Sequence, residues 1–104
     1  MSSAVRIRHS VDELRSIVAP VAERYGVEKI HLFGSAARGD FDEGGDYDFC
    51  IEPGMIRDLF ALSEFFQDLR DAVGQEIDLV DIMAAKPDLL NSILSEGVII
   101  YEDA

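Results

Sequence analysis

Glycine and proline residues divide the chain into segments whose apolar residues alternate between helical and extended spacing. Helical spacing runs from Val11 to Tyr25, behind the capping-box sequence Ser10-Val-Asp-Glu13, and Gly26 follows as a stop. It returns from Ile56 to Val73 and from Pro87 to Leu94. Strand patterns occupy residues 27–33, 47–51, 77–82 and 98–101. This alternation predicts an α/β (α+β) fold, a small mixed β-sheet flanked by helices.

The length of 104 residues allows one domain with a modest core, so we expect residues 1–104 to form a single domain. An apolar content of 48% excludes a disordered acidic tail.

Pro20 is expected to kink or divide the first helix. The apolar stripe of the long helix is predicted to be core and comprises Leu59, Phe60, Leu62, Phe65, Phe66, Leu69 and Val73.

The formal charge of −12 is concentrated in the second part of the chain. Residues 1–39 hold four acids and six bases, whereas residues 40–104 hold seventeen acids and three bases. Phosphate backbones and anionic membranes are bound mainly through Lys and Arg. The charge therefore argues against direct contact with nucleic acid or a membrane surface, and it favours a basic partner.

The cysteine content and the N-terminal sequence predict a soluble protein of a reducing compartment, the cytoplasm. Cys50 is the only cysteine, which excludes an internal disulfide and a cysteine-based zinc site, and we expect it to be a small core residue. Residues 1–10 lack the apolar run of a signal peptide, and no stretch reaches the ~18 apolar residues of a membrane span. His31 is expected at the surface or an edge of the sheet.

A group of carboxylates precedes and enters the second strand. Asp46 and Asp48 are two residues apart at its head, so their side chains point to the same face. Asp78 occupies a similar position in the third strand, and three carboxylates converge if the two strands are neighbours. Crowded carboxylates repel each other unless a cation lies between them, and hard oxygen ligands select Mg²⁺ or Mn²⁺.

Two other interpretations of this acidic region are solvated surface acids and a calcium loop. Acids in a Gly-rich loop are usually solvated, and we interpret Asp40, Asp42 and Glu43 in this way. A calcium loop requires Asp or Asn at its fifth place and Glu at its twelfth. Counted from Asp40, these places hold Gly44 and Ile51, which excludes a calcium loop.

Gly34-Ser35 follows the first predicted strand and is a candidate phosphate-binding turn. Glycine lets the backbone approach a ligand closely, and Ser35 offers a hydroxyl and free backbone amides at a helix start. An ordinary turn would have the same sequence. The turn gains significance from the acids downstream, because nucleotidyl transfer requires a phosphate-binding turn beside a divalent-metal cluster.

The combined pattern resembles that of a known family. Gly34-Ser35, ten intervening residues and Asp46-x-Asp48 are similar to the signature of nucleotidyltransferases with the DNA polymerase β type of fold. The run Phe33-Gly-Ser-Ala-Ala-Arg-Gly-Asp40 resembles the minimal nucleotidyltransferases (MNT) of bacteria and archaea. Many of those are cytoplasmic antitoxins encoded beside a helical HEPN-domain toxin. The resemblance extends over most of the chain.

The resemblance implies a role for each matching residue. Gly34 and Ser35 would hold the triphosphate of ATP, and Arg38 would contact phosphate or shape the loop. The resemblance also implies that two Mg²⁺ ions are bound by Asp46, Asp48 and Asp78, the last of which helps deprotonate the acceptor hydroxyl. The chain departs from the family in having Gly45 where Ser commonly precedes the first catalytic Asp.

Three functions are compatible with this sequence. The first is a Mg²⁺-dependent protein adenylyltransferase, an antitoxin that transfers AMP from ATP to a hydroxyl, expected to be a tyrosine, of its HEPN toxin. The second is a non-catalytic antitoxin that acts by stoichiometric binding. The third is a small-molecule nucleotidyltransferase of the aminoglycoside-modifying type.

The core fold accounts for nearly all of the 104 residues. We therefore expect further contact surface to come from the toxin or a second copy of the chain. The candidate contact residues are Phe41 and Met55-Ile56.

Overall fold

The computed structural model describes residues 9–34, 37 and 47–103. The order of helices and strands along this part of the chain is the one that the sequence predicts. In order, the elements are α1 (Val11–Tyr25), β1 (Lys29–Phe33), β2 (Tyr47–Glu52), α2 (Leu59–Val73), β3 (Ile77–Asp81), a short 3₁₀ turn (Ile82–Ala84), α3 (Pro87–Glu96) and β4 (Val98–Glu102). None of the helices described has the length and apolar character needed to cross a membrane.

The helix ends follow local capping chemistry. The predicted capping box of α1 is confirmed: the Glu13 amide donates to Ser10 Oγ at 3.1 Å, and the Ser10 amide donates to Glu13 Oε1 at 2.7 Å. Helix α1 continues through Pro20 and is not divided. The predicted start of α2 at Ile56 is wrong, because Asp58 caps the helix by accepting a hydrogen bond from the Ala61 amide at 2.8 Å.

The four strands form one mixed sheet in the order β3-β2-β1-β4. Strand β1 is antiparallel to both of its neighbours, β2 and β4. Strand β2 is parallel to β3, and the long connection through α2 joins them. This arrangement confirms the predicted small mixed sheet and makes β3 one of its two edges.

Alternate residues of β2 face opposite sides of the sheet. Tyr47, Phe49 and Ile51 are buried in the main core, which also contains residues of α1 and α2. Asp48 and Glu52 belong to the other face and are half-buried. The core therefore anchors one face of β2, while the opposite face carries its carboxylates.

The predicted core stripe of α2 is only partly correct. Phe65, Leu69 and Val73 are fully buried, and Leu62 and Phe66 pack against the core. Leu59 and Phe60, in contrast, are 81% and 86% exposed. The helix starts three residues later than predicted, and both side chains belong to its first turn.

Candidate functional site

Gly34 follows the last residue of β1 and lies against the side chain of Asp48. Its φ of +75° is a left-handed conformation that favours glycine. A Cβ atom at this position would overlap Oδ2 of Asp48 and lie 3.2 Å from its Cγ. The absence of a side chain at Gly34 therefore brings the end of β1 into contact with the carboxylate.

Asp48 and Asp78 occupy adjacent register positions of the parallel strands β2 and β3. Each is the second residue of its strand, so the same pleat directs both side chains to one face of the sheet. Asp48 is half-buried and Asp78 is exposed. The two strands are neighbours, which is the condition that the sequence left open, and two of the three carboxylates lie at paired positions beside the turn at Gly34.

Three of the six candidate site residues, Ser35, Arg38 and Asp46, lie outside the described residues. Asp46 immediately precedes Tyr47, the first residue of β2. Within 9–34, 37 and 47–103, no group of three or more His, Cys, Asp and Glu side chains is placed to hold a metal ion. The described part of the chain thus contains the pair Asp48 and Asp78, and the third predicted ligand is not in that part.

A charged network occupies the same face of the sheet as Asp48, at the other end of β2. Nε2 of the His31 ring lies 3.1 Å from Oε2 of Glu52. Nζ of Lys29 lies 3.9 Å from Oε2 of Glu52 and 3.3 Å from Oε2 of Glu102. The hydrogen bond to Glu102, followed by the charge of Glu52, raises the pKa of Lys29.

The predicted surface position of His31 is wrong, because this residue is only 5% exposed. It lies in a central strand, paired with Cys50 on one side and Ile99 on the other. The carboxylate of Glu52 compensates for the burial of its ring nitrogen. The signal in the sequence is the alternation Lys29-x-His31, which places both side chains on one face of the strand.

Cys50 is buried, as predicted, and is a free thiol. Burial, with smaller contributions from Asp81 and Glu52, raises the pKa of Cys50 to about 11. A protonated, buried thiol is a poor nucleophile. Cys50 is therefore a structural residue of the sheet.

The structure tests only one of the two loop segments predicted as contact surfaces. Met55 is exposed, whereas Ile56 is buried in the core. Phe41 lies outside the described residues. Leu59 and Phe60 of α2 are also exposed, although helical periodicity predicts them to be core.

Comparisons with known proteins agree with this arrangement. The family model for polymerase beta nucleotidyltransferases matches residues 16–104. The chain is 30% identical over 93 residues to the protein adenylyltransferase MntA of Thermococcus cleftensis, covering 86% of this chain and 94% of that protein.

Two solved structures share the fold. One is a toxin–antitoxin crystal structure with AMP-PNP, at 23% identity and a TM-score of 0.71, covering 86% of this chain and 73% of the matched one. The other is a tri-AMPylated HEPN toxin of Shewanella oneidensis in complex with its MNT antitoxin, at 22% identity and a TM-score of 0.65, covering 86% and 71%. With the family match over most of the chain and carboxylates at the heads of β2 and β3, the protein belongs to the polymerase beta family of nucleotidyltransferases.

Proposed function

We propose that this nucleotidyltransferase is an antitoxin that transfers AMP from ATP to a tyrosine hydroxyl of a cytoplasmic HEPN-domain toxin. The observation that carries the proposal is the pairing of Asp48 with Asp78 beside the turn at Gly34. The name of the Thermococcus cleftensis relative and the AMPylated toxin in the Shewanella oneidensis complex support the choice of acceptor. The AMP-PNP in the other toxin–antitoxin structure supports ATP as the donor.

The donor set at the head of β2 and β3 suits Mg²⁺. Asp48 and Asp78 supply hard carboxylate oxygens from adjacent positions of one sheet face, and their mutual repulsion is relieved by a cation. We assign these residues, with Asp46, as the ligands of two Mg²⁺ ions. When bound, Mg²⁺ neutralises triphosphate charge and acidifies the acceptor hydroxyl.

Protein groups bind the triphosphate and accept the proton of the acceptor hydroxyl. Gly34 and Ser35 bind the triphosphate through backbone amides and the Ser35 hydroxyl, and Arg38 binds phosphate. The acceptor oxygen attacks the α-phosphorus, the bond to the β-phosphate oxygen breaks, and pyrophosphate leaves. The exposed carboxylate of Asp78 is accessible from solvent and accepts the proton of the hydroxyl.

Gly45 stands where the family commonly has Ser, directly before Asp46. The substitution removes a hydroxyl that could hydrogen-bond within the loop. It leaves Asp46, Asp48 and Asp78 in the sequence, so we propose that activity is retained.

The experiment incubates the purified protein with α-labelled ATP, Mg²⁺ and the purified HEPN-domain protein encoded in the neighbouring reading frame. We expect label on the partner, a mass increase of one or more AMP groups, and peptide mapping of the group to tyrosine. EDTA should abolish the transfer. An unlabelled partner, or labelling that persists in EDTA, would contradict the proposal.

A non-catalytic antitoxin is the second candidate, and the exposed apolar side chains of α2 favour it because they suit protein binding. The two candidates differ in the behaviour of Asp48→Asn. If this variant protects cells from the toxin as fully as the wild type, binding alone is sufficient. Loss of protection with retained binding supports catalysis.

A further inference from the structure

The exposed start of α2 and the edge strand β3 form an apolar groove whose role the nucleotidyl-transfer site does not explain. Its lining consists of Leu59, Leu62, Ser63, Phe66 and Leu79, and its volume is about 350 Å³. A second cavity of about 220 Å³ shares Leu59 and Leu62 with it and continues towards Asp81. We call the two together the α2–β3 groove.

Large apolar side chains are exposed in the segments that border this groove. Leu59 and Phe60 are adjacent on the first turn of α2 and are 81% and 86% exposed. Met83, two residues beyond the end of β3, is 84% exposed. Exposed large apolar side chains beside an apolar groove are typical of protein–protein contacts, in which such side chains supply most of the binding energy.

The charge around the groove indicates the nature of its occupant. The charged residues of its lining are Asp58, Asp81 and Arg57, and the segment 57–88 as a whole holds eight acids and three bases. Two copies of this chain would bring like charges together across the groove. A partner with apolar side chains surrounded by Lys and Arg would instead be attracted.

The position of the groove separates it from the nucleotidyl-transfer site. Leu79 follows Asp78 in β3, so their side chains point to opposite faces of the sheet. Asp81, at the other end of the groove, is three residues from Asp78, or about 10 Å along the strand. A partner seated in the groove would leave Gly34, Asp48 and Asp78 accessible.

We propose that the α2–β3 groove is the docking surface for the toxin, through an apolar segment of that partner with a basic rim. This inference rests on the proposed function, because the partner is the HEPN-domain toxin itself. Docking and transfer then use separate surfaces. A tethered partner can present its acceptor hydroxyl on the other face of the sheet without covering the carboxylates.

The test compares the double variant Leu59→Ser/Phe60→Ser with Leu94→Ser, using the purified HEPN-domain protein of the neighbouring reading frame. Leu94 is the matched control, since it is a 62% exposed leucine of α3 outside the groove. We expect the double variant to weaken binding, measured by calorimetry, by at least about tenfold, and Leu94→Ser to leave it within about twofold. Thermal unfolding of each variant confirms that it is folded.

Kinetics provide the second measurement. For AMP transfer we expect the double variant to raise KM for the partner and to leave kcat near the wild-type value at saturation, because only docking is lost. Binding should also weaken as salt is raised, because the rim is charged.

Three outcomes would overturn the docking surface. Unchanged partner affinity in the folded double variant would refute the groove and leave the transfer function standing. A wild-type dimer in sedimentation that the double variant dissociates would assign the groove to a second copy. A wild-type protein that neither binds nor labels the HEPN-domain protein would refute the docking surface and the proposed function together.

Discussion

The backbone of Gly34 lies against the carboxylate of Asp48, with no room between them for a Cβ atom. Phe33, the residue before Gly34, is the register partner of Asp48 across β1 and β2. The proposed phosphate-binding turn and one proposed metal ligand are therefore fixed to each other by a sheet pairing. Their relationship depends on the absence of a single methyl group.

Gly34→Ala tests this contact. Alanine at a φ of +75° costs about 1–2 kcal/mol of stability, and its methyl group displaces the Asp48 carboxylate. We expect AMP transfer to fall by about tenfold or more, because a small displacement of a catalytic group is costly.

Gly74→Ala is the matched control for Gly34→Ala. Gly74 has a φ of +85°, but a Cβ atom there would meet nothing within 4 Å. It should lose similar stability and keep its activity. Equal activity of the two variants at matched folded fractions would show that the Gly34–Asp48 contact is unimportant.

Asp78→Asn should weaken Mg²⁺-dependent binding of ATP and slow transfer, because it removes a charge adjacent to Asp48. We expect at least about a tenfold loss in apparent Mg²⁺ affinity in titrations at fixed ATP. Asp71→Asn, an exposed aspartate of α2, is the control and should match the wild type. Unaltered Mg²⁺ dependence in Asp78→Asn would remove this residue from the proposed ligand set.

His31→Ala should destabilise the fold by about 2 kcal/mol, because it opens a cavity in the sheet and leaves Glu52 without its imidazole partner. Denaturant unfolding measures the change. Glu76→Ala, at an exposed position, should change stability by less than about 0.5 kcal/mol. A similarly small effect of His31→Ala would show that the buried pair contributes little.

Cys50 should make the stability depend on pH in alkaline solution. Its pKa rises from 9.0 to about 11 on folding, so the unfolded chain loses the proton first. The free energy of unfolding of the wild type should then decrease between pH 9.0 and about 11. This decrease should be larger than the one measured for Cys50→Ala over the same range. Parallel curves for the two proteins across this range would contradict the raised pKa.

The strands of the candidate site could be located from short-range patterns in the sequence, whereas their pairing was left open as a condition. Asp48 and Asp78 each stand at the head of an apolar strand, and the helix between the strands favours a parallel pair. The position of Asp46 relative to them is not tested, since it lies outside the described residues. Its role remains a prediction.

The exposure of Leu59 and the burial of His31 could not be predicted in this way. Helical periodicity identifies the apolar side of α2, but the extent of the sheet beneath that side depends on strand order. His31 is polar, yet it lies in a strand with neighbours on both sides and a carboxylate within 3.1 Å. Both properties follow from contacts between residues far apart in the sequence.

The central claim is that the carboxylates at the head of β2 and β3 carry out AMP transfer. The most direct test is the rate of AMP transfer to the HEPN-domain partner by Asp48→Asn, measured at saturating ATP, Mg²⁺ and partner. We predict a rate lowered by about a hundredfold or more, with partner affinity unchanged. Transfer by folded Asp48→Asn at the wild-type rate would contradict the account.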